Sequence, residues 1–331
     1  MTPATLRRLA RWLEQRGLLA AAPVTARLAG DGHSNLTYLV SDGERTVVVR
    51  RPPPPPTPPG ANDVLREASI LRSLAGSGIP VPDVLAQGET DEVFDVPFFV
   101  MRYVPGPIVT DRAPDGIERA RLGRNLTAAL AGLHAVDWVS AGLRGNPDGS
   151  NIRHRARLAR LIALDGEPPA EFADVDAWLV AHAPTESGAA LVHNDFRLGN
   201  VILDASNPSR IAAVLDWELA AVADPLVDVG YLVASWAEPG REPATAIERL
   251  GAASSRGDFP TRLELVDWYE EASGRTVGDL AWYVVLAEWK LAVLWEYNRR
   301  RFDAGVGDAF YADPTHVTEF LDVARRWAER A

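Results

Sequence analysis

The chain has 331 residues, 47% hydrophobic and 24% charged, ordinary globular values that exclude wholesale disorder and a fibrous repeat. That length exceeds what one hydrophobic core usually serves, so two lobes are expected. A net charge of -11 counts against the broad basic surface that phosphate backbones require, and nucleic acid is not expected as a partner. The absence of cysteine excludes disulfides, thiolate metal sites and cysteine nucleophiles.

Residues 1–17 interleave arginine with Leu6, Leu9, Trp12 and Leu13, which predicts an amphipathic surface helix and not the unbroken apolar core of a signal peptide. Short runs rich in Val, Thr and Tyr at 24–28, 36–40 and 46–50 predict an antiparallel meander. Its first turn holds Gly30, Gly32, Ser34 and Asn35, where glycine allows backbone to approach a ligand closely. The proline-rich stretch 51–60 cannot donate to a sheet ladder and predicts an extended connector. Asn62 or Asp63 can cap a following helix with a Leu65, Ala68, Ile70, Leu71 and Leu74 stripe and Glu67 near its start. Strands are expected near 84–87 and 98–103. Residues 104–107 then punctuate the chain, and helical periodicity dominates beyond them, with helices at 118–136, 152–164 and 172–181, short strands at 190–192, 201–203 and 212–215, and helices again from 225 onward. The apolar stretch 280–295 is broken by Glu288 and Lys290, so no membrane span is expected, and a cytoplasmic location is.

The chemistry concentrates in 191–204. There a strand delivers His193 and Asp195 into a turn, and Asn200 follows at the entrance of another strand. Phosphoryl transfer needs a carboxylate to orient the acceptor hydroxyl and hard oxygen ligands to hold Mg²⁺ on the phosphates. Asp195 suits the first task and Asn200 the second. Asp216, at the end of an apolar strand, supplies a second oxygen ligand. The six histidines do not cluster at metal spacing, which counts against a metal-dependent hydrolase.

The run His193-Asn194-Asp195 through Asn200, with Leu215-Asp216-Trp217-Glu218, resembles the aminoglycoside phosphotransferase and choline kinase-like small-molecule kinases. Residues 30–38 and 49–53 resemble the branch of that family found fused to acyl-CoA dehydrogenases. The resemblance implies an α+β, protein-kinase-like bilobal fold. A small antiparallel β lobe with one helix (1–104) would bind nucleotide, and a larger, mainly helical lobe (105–331) would carry catalysis and acceptor binding. It further implies Asp195 as catalytic base, Asn200 and Asp216 as Mg²⁺ ligands, and ATP or GTP as co-substrate in the cleft. Arg50 would contact phosphates and pair with Glu67, backbone groups of Arg102 and Val104 would meet the base, and Asp224 and Asp228 would brace the catalytic loop. Two departures from the protein-kinase pattern stand out: the phosphate loop lacks a full G-x-G-x-x-G, and arginine replaces the strand lysine.

The expected partner is a small-molecule hydroxyl acceptor, with a catalytically silent nucleotide-binding protein as the alternative. Trp236, Trp268, Trp282, Trp289 and Trp295 beside Glu288 and Glu296 either cage a cationic amine or form core. The dehydrogenase-fused branch points instead to a hydroxyacyl thioester.

Overall fold

The computed structural model describes every residue except 21–22, 31–34, 54–61, 147 and 164–167. The described residues form two compact units, Met1–Pro105 with Ala213–Glu218, and Gly106–Ala212 with Leu219–Ala331. The sequence pattern leaves 213–218 in the second lobe. Its place with the first follows from three bonds: Val214 N–H to the Pro80 carbonyl at 2.7 Å, Asp216 to Arg50, and Glu218 to Asn35.

In the first unit, α1 (Pro3–Gln15) starts at Thr2, whose hydroxyl accepts the Thr5 N–H, with Pro3 in the first turn, where its missing donor costs nothing. Three strands follow, β1 (Thr25–Leu28), β2 (Leu36–Ser41) and β3 (Thr46–Arg51). Then come α2 (Val64–Ser73), β4 (Val84–Gly88) and β5 (Phe98–Arg102). The strands make one antiparallel sheet in the order β1-β2-β3-β5-β4. Side chains alternate across it. Tyr38, Val40, Val47, Val49, Phe98 and Val100 form a core with Leu9, Trp12 and Leu13 of α1. The same period turns Thr37, Leu39, Val48 and Arg50 to the other face. The helix α2 is capped by Asp63, which accepts the Arg66 N–H, and packs on β4 and β5. Most of the proline-rich connector lies outside the described residues.

The second unit begins with α3 (Arg119–His134), α4 (Ser150–Ile162) and α5 (Ala173–Ala181). Four short strands follow, β6 (Ala190–Val192), β7 (Val201–Leu203), β8 (Ile211–Val214), which runs on into the first unit, and β9 (Ala221–Ala223). β6 pairs with β9, a strand that three alternating Ala and Val residues do not announce in the sequence. Helices α6 (Leu226–Ser235), α7 (Ala246–Leu250), α8 (Arg262–Ser273), α9 (Leu280–Asp303) and α10 (Thr315–Ala328) complete the unit.

The 24-residue α9 is its axis, packing against α4, α5, α6 and α10 and apolar on nearly its whole circumference over residues 282–295. Such a helix is stable only when surrounded. Helix α6 is buried at every position, and Gly230 lets it lie directly on the Tyr283 backbone.

Candidate active site

The loop after β6 is built around Asp228, in the first turn of α6 and fully buried. Its two oxygens accept successive backbone N–H groups, His193 at 2.7 Å and Asn194 at 2.6 Å, and His134 Nε2 stands 3.2 Å away. Burial pushes its pKa up, but the hydrogen bond and charge of His134, with His193, bring it below the usual carboxylate range. Asp228 therefore braces the loop as an ionised group. Asp224 acts elsewhere, joining Ser187, Asn151 and Tyr283 to the start of α6.

Asn194 has the left-handed φ of 64°, with its side chain donating to the Leu219 carbonyl at 3.0 Å. The turn brings the next residue, Asp195, back over His193, whose Nδ1 accepts the Asp195 N–H at 3.2 Å. His193 is thus a buried hydrogen-bonding part of the loop.

The spacing from Asp195 to Asn200 closes through a single 3₁₀ turn, Leu198–Asn200. Asn200 Nδ2 donates to the Asp195 carbonyl at 2.9 Å and to Asp195 Oδ2 at 2.7 Å. With its nitrogen so used, Asn200 has its amide oxygen left to offer. Asp195 Oδ1 is buried and accepts no hydrogen bond from the described residues, with Arg197 Nε 3.5 Å away.

In the first unit, Arg50 is buried on β3 and shared among three partners. Nε donates to Glu67 Oε2 at 2.8 Å, Nη1 to Thr37 Oγ1 at 3.1 Å and Nη2 to Asp216 Oδ1 at 2.5 Å, while Glu218 Oε2 stands 3.9 Å off. Burial works against the guanidinium's charge, yet Asp216, Glu67 and Glu218 together raise its pKa. Burial raises the pKa of Glu67, against the pull of Arg50. Asp216 is a third exposed and has a left-handed φ of 67°, the conformation that turns the chain at the end of β8.

Asn35 is held on both sides of its amide, donating to Glu218 Oε2 at 2.8 Å and accepting from Asn62 at 3.2 Å. Gly30 has the positive φ of 68° that favours glycine, whereas Gly32 and Ser34 lie outside the described residues. The Arg102 N–H is taken by the Asp83 carbonyl at 2.8 Å, so this donor is not free for a base, and its guanidinium pairs with Asp83. Val104 follows the end of β5. On the Arg50 face of the sheet a cavity of about 260 Å³ is lined by Thr25, Arg27, Leu39, Ser41, Thr46 and, just past β5, Tyr103.

The C-terminal aromatics are mostly core: Trp236, Trp282, Trp289 and Trp295 are buried, and Glu296 is bonded to Arg299 and Arg300. Two buried groups of this unit were not assigned a place in the site from sequence, Tyr231 and Lys290. The only sequence signal for Lys290 is a charge inside the apolar run of α9.

Among the described residues no three His, Cys, Asp or Glu side chains group as a metal cage, and no helix is long and apolar enough to cross a membrane. Mg²⁺ does not require such a cage, since it is usually held by one or two protein oxygens together with substrate phosphates and water. Asn200 in the second unit has an amide oxygen and Asp216 in the first a carboxylate, and each by itself is a donor of that hard-oxygen kind.

A small antiparallel sheet carrying a buried Arg–Glu pair, with an Asp–Asn loop in a larger helical unit, defines a kinase-like phosphotransferase. The chain belongs to the phosphotransferase enzyme family, whose model matches residues 25–265. It is 26% identical to a candidate aminoglycoside phosphotransferase from Ralstonia eutropha, with a TM-score of 0.77 and 98% of each chain covered. The fold is shared, at 17% identity and a TM-score of 0.64, with a thermostable mutant of aminoglycoside phosphotransferase APH(4)-Ia in ternary complex with AMP-PNP and hygromycin B, covering 98% of this chain and 99% of that one. Acyl-CoA dehydrogenase family member 10 of Mus musculus is 32% identical over 239 residues, 69% of this chain, and the match spans only 22% of the mouse protein. Family and fold together support a small-molecule phosphotransferase.

Proposed function

We propose that this chain is a Mg²⁺-dependent kinase that moves the γ-phosphoryl group of ATP or GTP to a hydroxyl of a small molecule. One observation carries the reading: Asp195 is fixed through Oδ2 by Asn200 while its buried Oδ1, beside the Tyr231 phenol and Arg197, accepts no hydrogen bond from the described residues. A buried carboxylate oxygen without a donor is costly, and the O–H of an acceptor is a donor that would satisfy it.

Asp195 accepts that hydrogen bond, aligns the acceptor oxygen for in-line attack, and takes its proton as the new O–P bond forms and the bond to the nucleoside diphosphate breaks. Asn200 Oδ1 and Asp216 are the residues that would hold Mg²⁺, which when bound neutralises charge on the phosphates. Arg50 spends three of its five N–H donors on Glu67, Thr37 and Asp216, leaving two for phosphate oxygens. The cavity lined by Leu39 and Tyr103 is the candidate seat for the base.

Incubation with Mg²⁺–ATP or Mg²⁺–GTP and a panel of hydroxyl compounds, read by phosphate mass gain, tests the proposal. The mouse relative's dehydrogenase name places hydroxyacyl thioesters in that panel beside aminoglycosides, amino alcohols and sugars. Asp195→Asn is expected to lose activity about 100-fold or more while binding AMP-PNP as the parent does. A parent that binds nucleotide yet transfers phosphate to nothing, water included, is the silent binder instead. An Asp195→Asn variant within a few-fold of the parent removes Asp195 as the base.

A further inference from the structure

We propose that Lys290 is a positioning residue for phosphoryl transfer, holding the turn that presents Asp195. The inference rests on reading Asp195 as the base.

Asn194 is not glycine, and a left-handed backbone there costs on the order of 1 kcal/mol unless its surroundings over-determine it. Three grips do so. Asp228 takes its N–H, the Leu219 carbonyl takes its side chain, and Lys290 Nζ donates to its carbonyl oxygen. The first two come from within 34 residues of Asn194, whereas the third arrives from α9, 96 positions away.

Lys290 is buried, and burial lowers its pKa against the opposing pull of Asp195 and Asp228. Its ammonium lies 4.5 Å from the centre of the Tyr231 ring. Tyr231 in turn lies against Asp195, and burial followed by the Asp195 charge raises its phenol well above its usual pKa. Lys290, Tyr231, Asn194 and Asp195 are therefore one packed group. A methionine would fill the same space without the cost of desolvating a charge. What the ammonium adds is a grip on the Asn194 carbonyl and a positive charge near the base.

The cavity between Lys290, His154, Asn194, Tyr231 and Tyr283 has a volume of about 10 Å³, room for a water but not for an acceptor. Lys290 therefore acts through the loop and does not bind substrate.

The test measures slow phosphate release from Mg²⁺–ATP, with water as acceptor, and binding of Mg²⁺–AMP-PNP by calorimetry. Losing a charge-assisted hydrogen bond that matters only for aligning Asp195 is expected to lower kcat about 10- to 100-fold in Lys290→Met. The AMP-PNP Kd and the ATP KM should stay within about twofold, a split that a merely structural lysine would not give. Lys290→Gln keeps a donor for the carbonyl without the charge and should recover part of the loss. If Lys290→Met does not fold, Lys290→Gln decides, with a fall of about fivefold or more in kcat expected.

A kcat within about twofold of the parent, or equal losses in kcat and nucleotide binding, overturns the inference. Asp195→Asn run alongside separates the two readings: if it abolishes release while Lys290→Met and Lys290→Gln do not reduce it, only the role of Lys290 falls. If Asp195→Asn keeps its activity, or the parent neither releases phosphate nor transfers it to any compound of the hydroxyl panel, the base reading fails and this inference with it; where only a panel compound accepts phosphate, the same comparison is run with it.

Discussion

Replacing Arg50 by alanine removes the cation that Glu67 and Asp216 share, and the structure says which of the two suffers. Asp216 is a third exposed and can turn to water, but Glu67 is buried, so its carboxylate is left without compensation. Removing one partner of a buried pair costs about 3–5 kcal/mol. For a unit of this size that amounts to a fall of roughly 10–20 °C in its melting temperature. Burial already raises the Glu67 pKa, and without Arg50 it rises further.

The sign of the pH effect follows. A carboxyl whose folded pKa lies above its unfolded value stabilises fully below the unfolded pKa and loses that contribution as pH rises through the folded one. Arg50→Ala should thus be closest to the parent near pH ~5 and furthest from it near pH ~8. Arg50→Ala/Glu67→Gln should recover most of the loss at pH ~8, because the two sites are coupled. Thermal unfolding followed by tryptophan fluorescence at both pH values measures this. A single variant that melts within about 2 °C of the parent, an equal deficit at the two pH values, or a double variant no better than the single refutes the reasoning.

Glu288 is fully buried with neither carboxylate oxygen hydrogen-bonded among the described residues, and burial, then the Glu248 charge, lifts its pKa well above the usual range against Arg262 and Arg326. By the same sign, Glu288→Gln should melt above the parent at pH ~8, by the equivalent of about 1–3 kcal/mol, with the gain vanishing near pH ~4.5. A pH-independent difference would show that Glu288 does not titrate on folding. At Gly230, an added Cβ would stand 2.5 Å from the Tyr283 carbonyl carbon. Gly230→Ala should therefore cost about 1–3 kcal/mol through forced separation of α6 and α9, and a melting temperature equal to the parent's would contradict that packing.

Local chemistry was enough to read much of this protein from its sequence. Runs rich in Val, Thr and Tyr marked β2 and β3, Asp63, one of two cap candidates, caps the helix that follows it, and the five-residue step from Asp195 to Asn200 is closed by one 3₁₀ turn. These are interactions over a few residues, so sequence spacing carries them. The Arg50–Glu67 pair was expected from the resemblance, but tertiary structure alone decided the more distant pairings. Arg50 reaches Asp216 across 166 positions and Lys290 reaches the Asn194 carbonyl across 96, and no periodicity encodes a partner that far away. It also decided the aromatic residues of α9, because a helix apolar on nearly every side, once enclosed, turns Trp282, Trp289 and Trp295 into core. The same enclosure makes Lys290 informative: in sequence it is a polar break in an apolar run, and only burial against the Asn194 turn makes its charge costly enough to require a purpose.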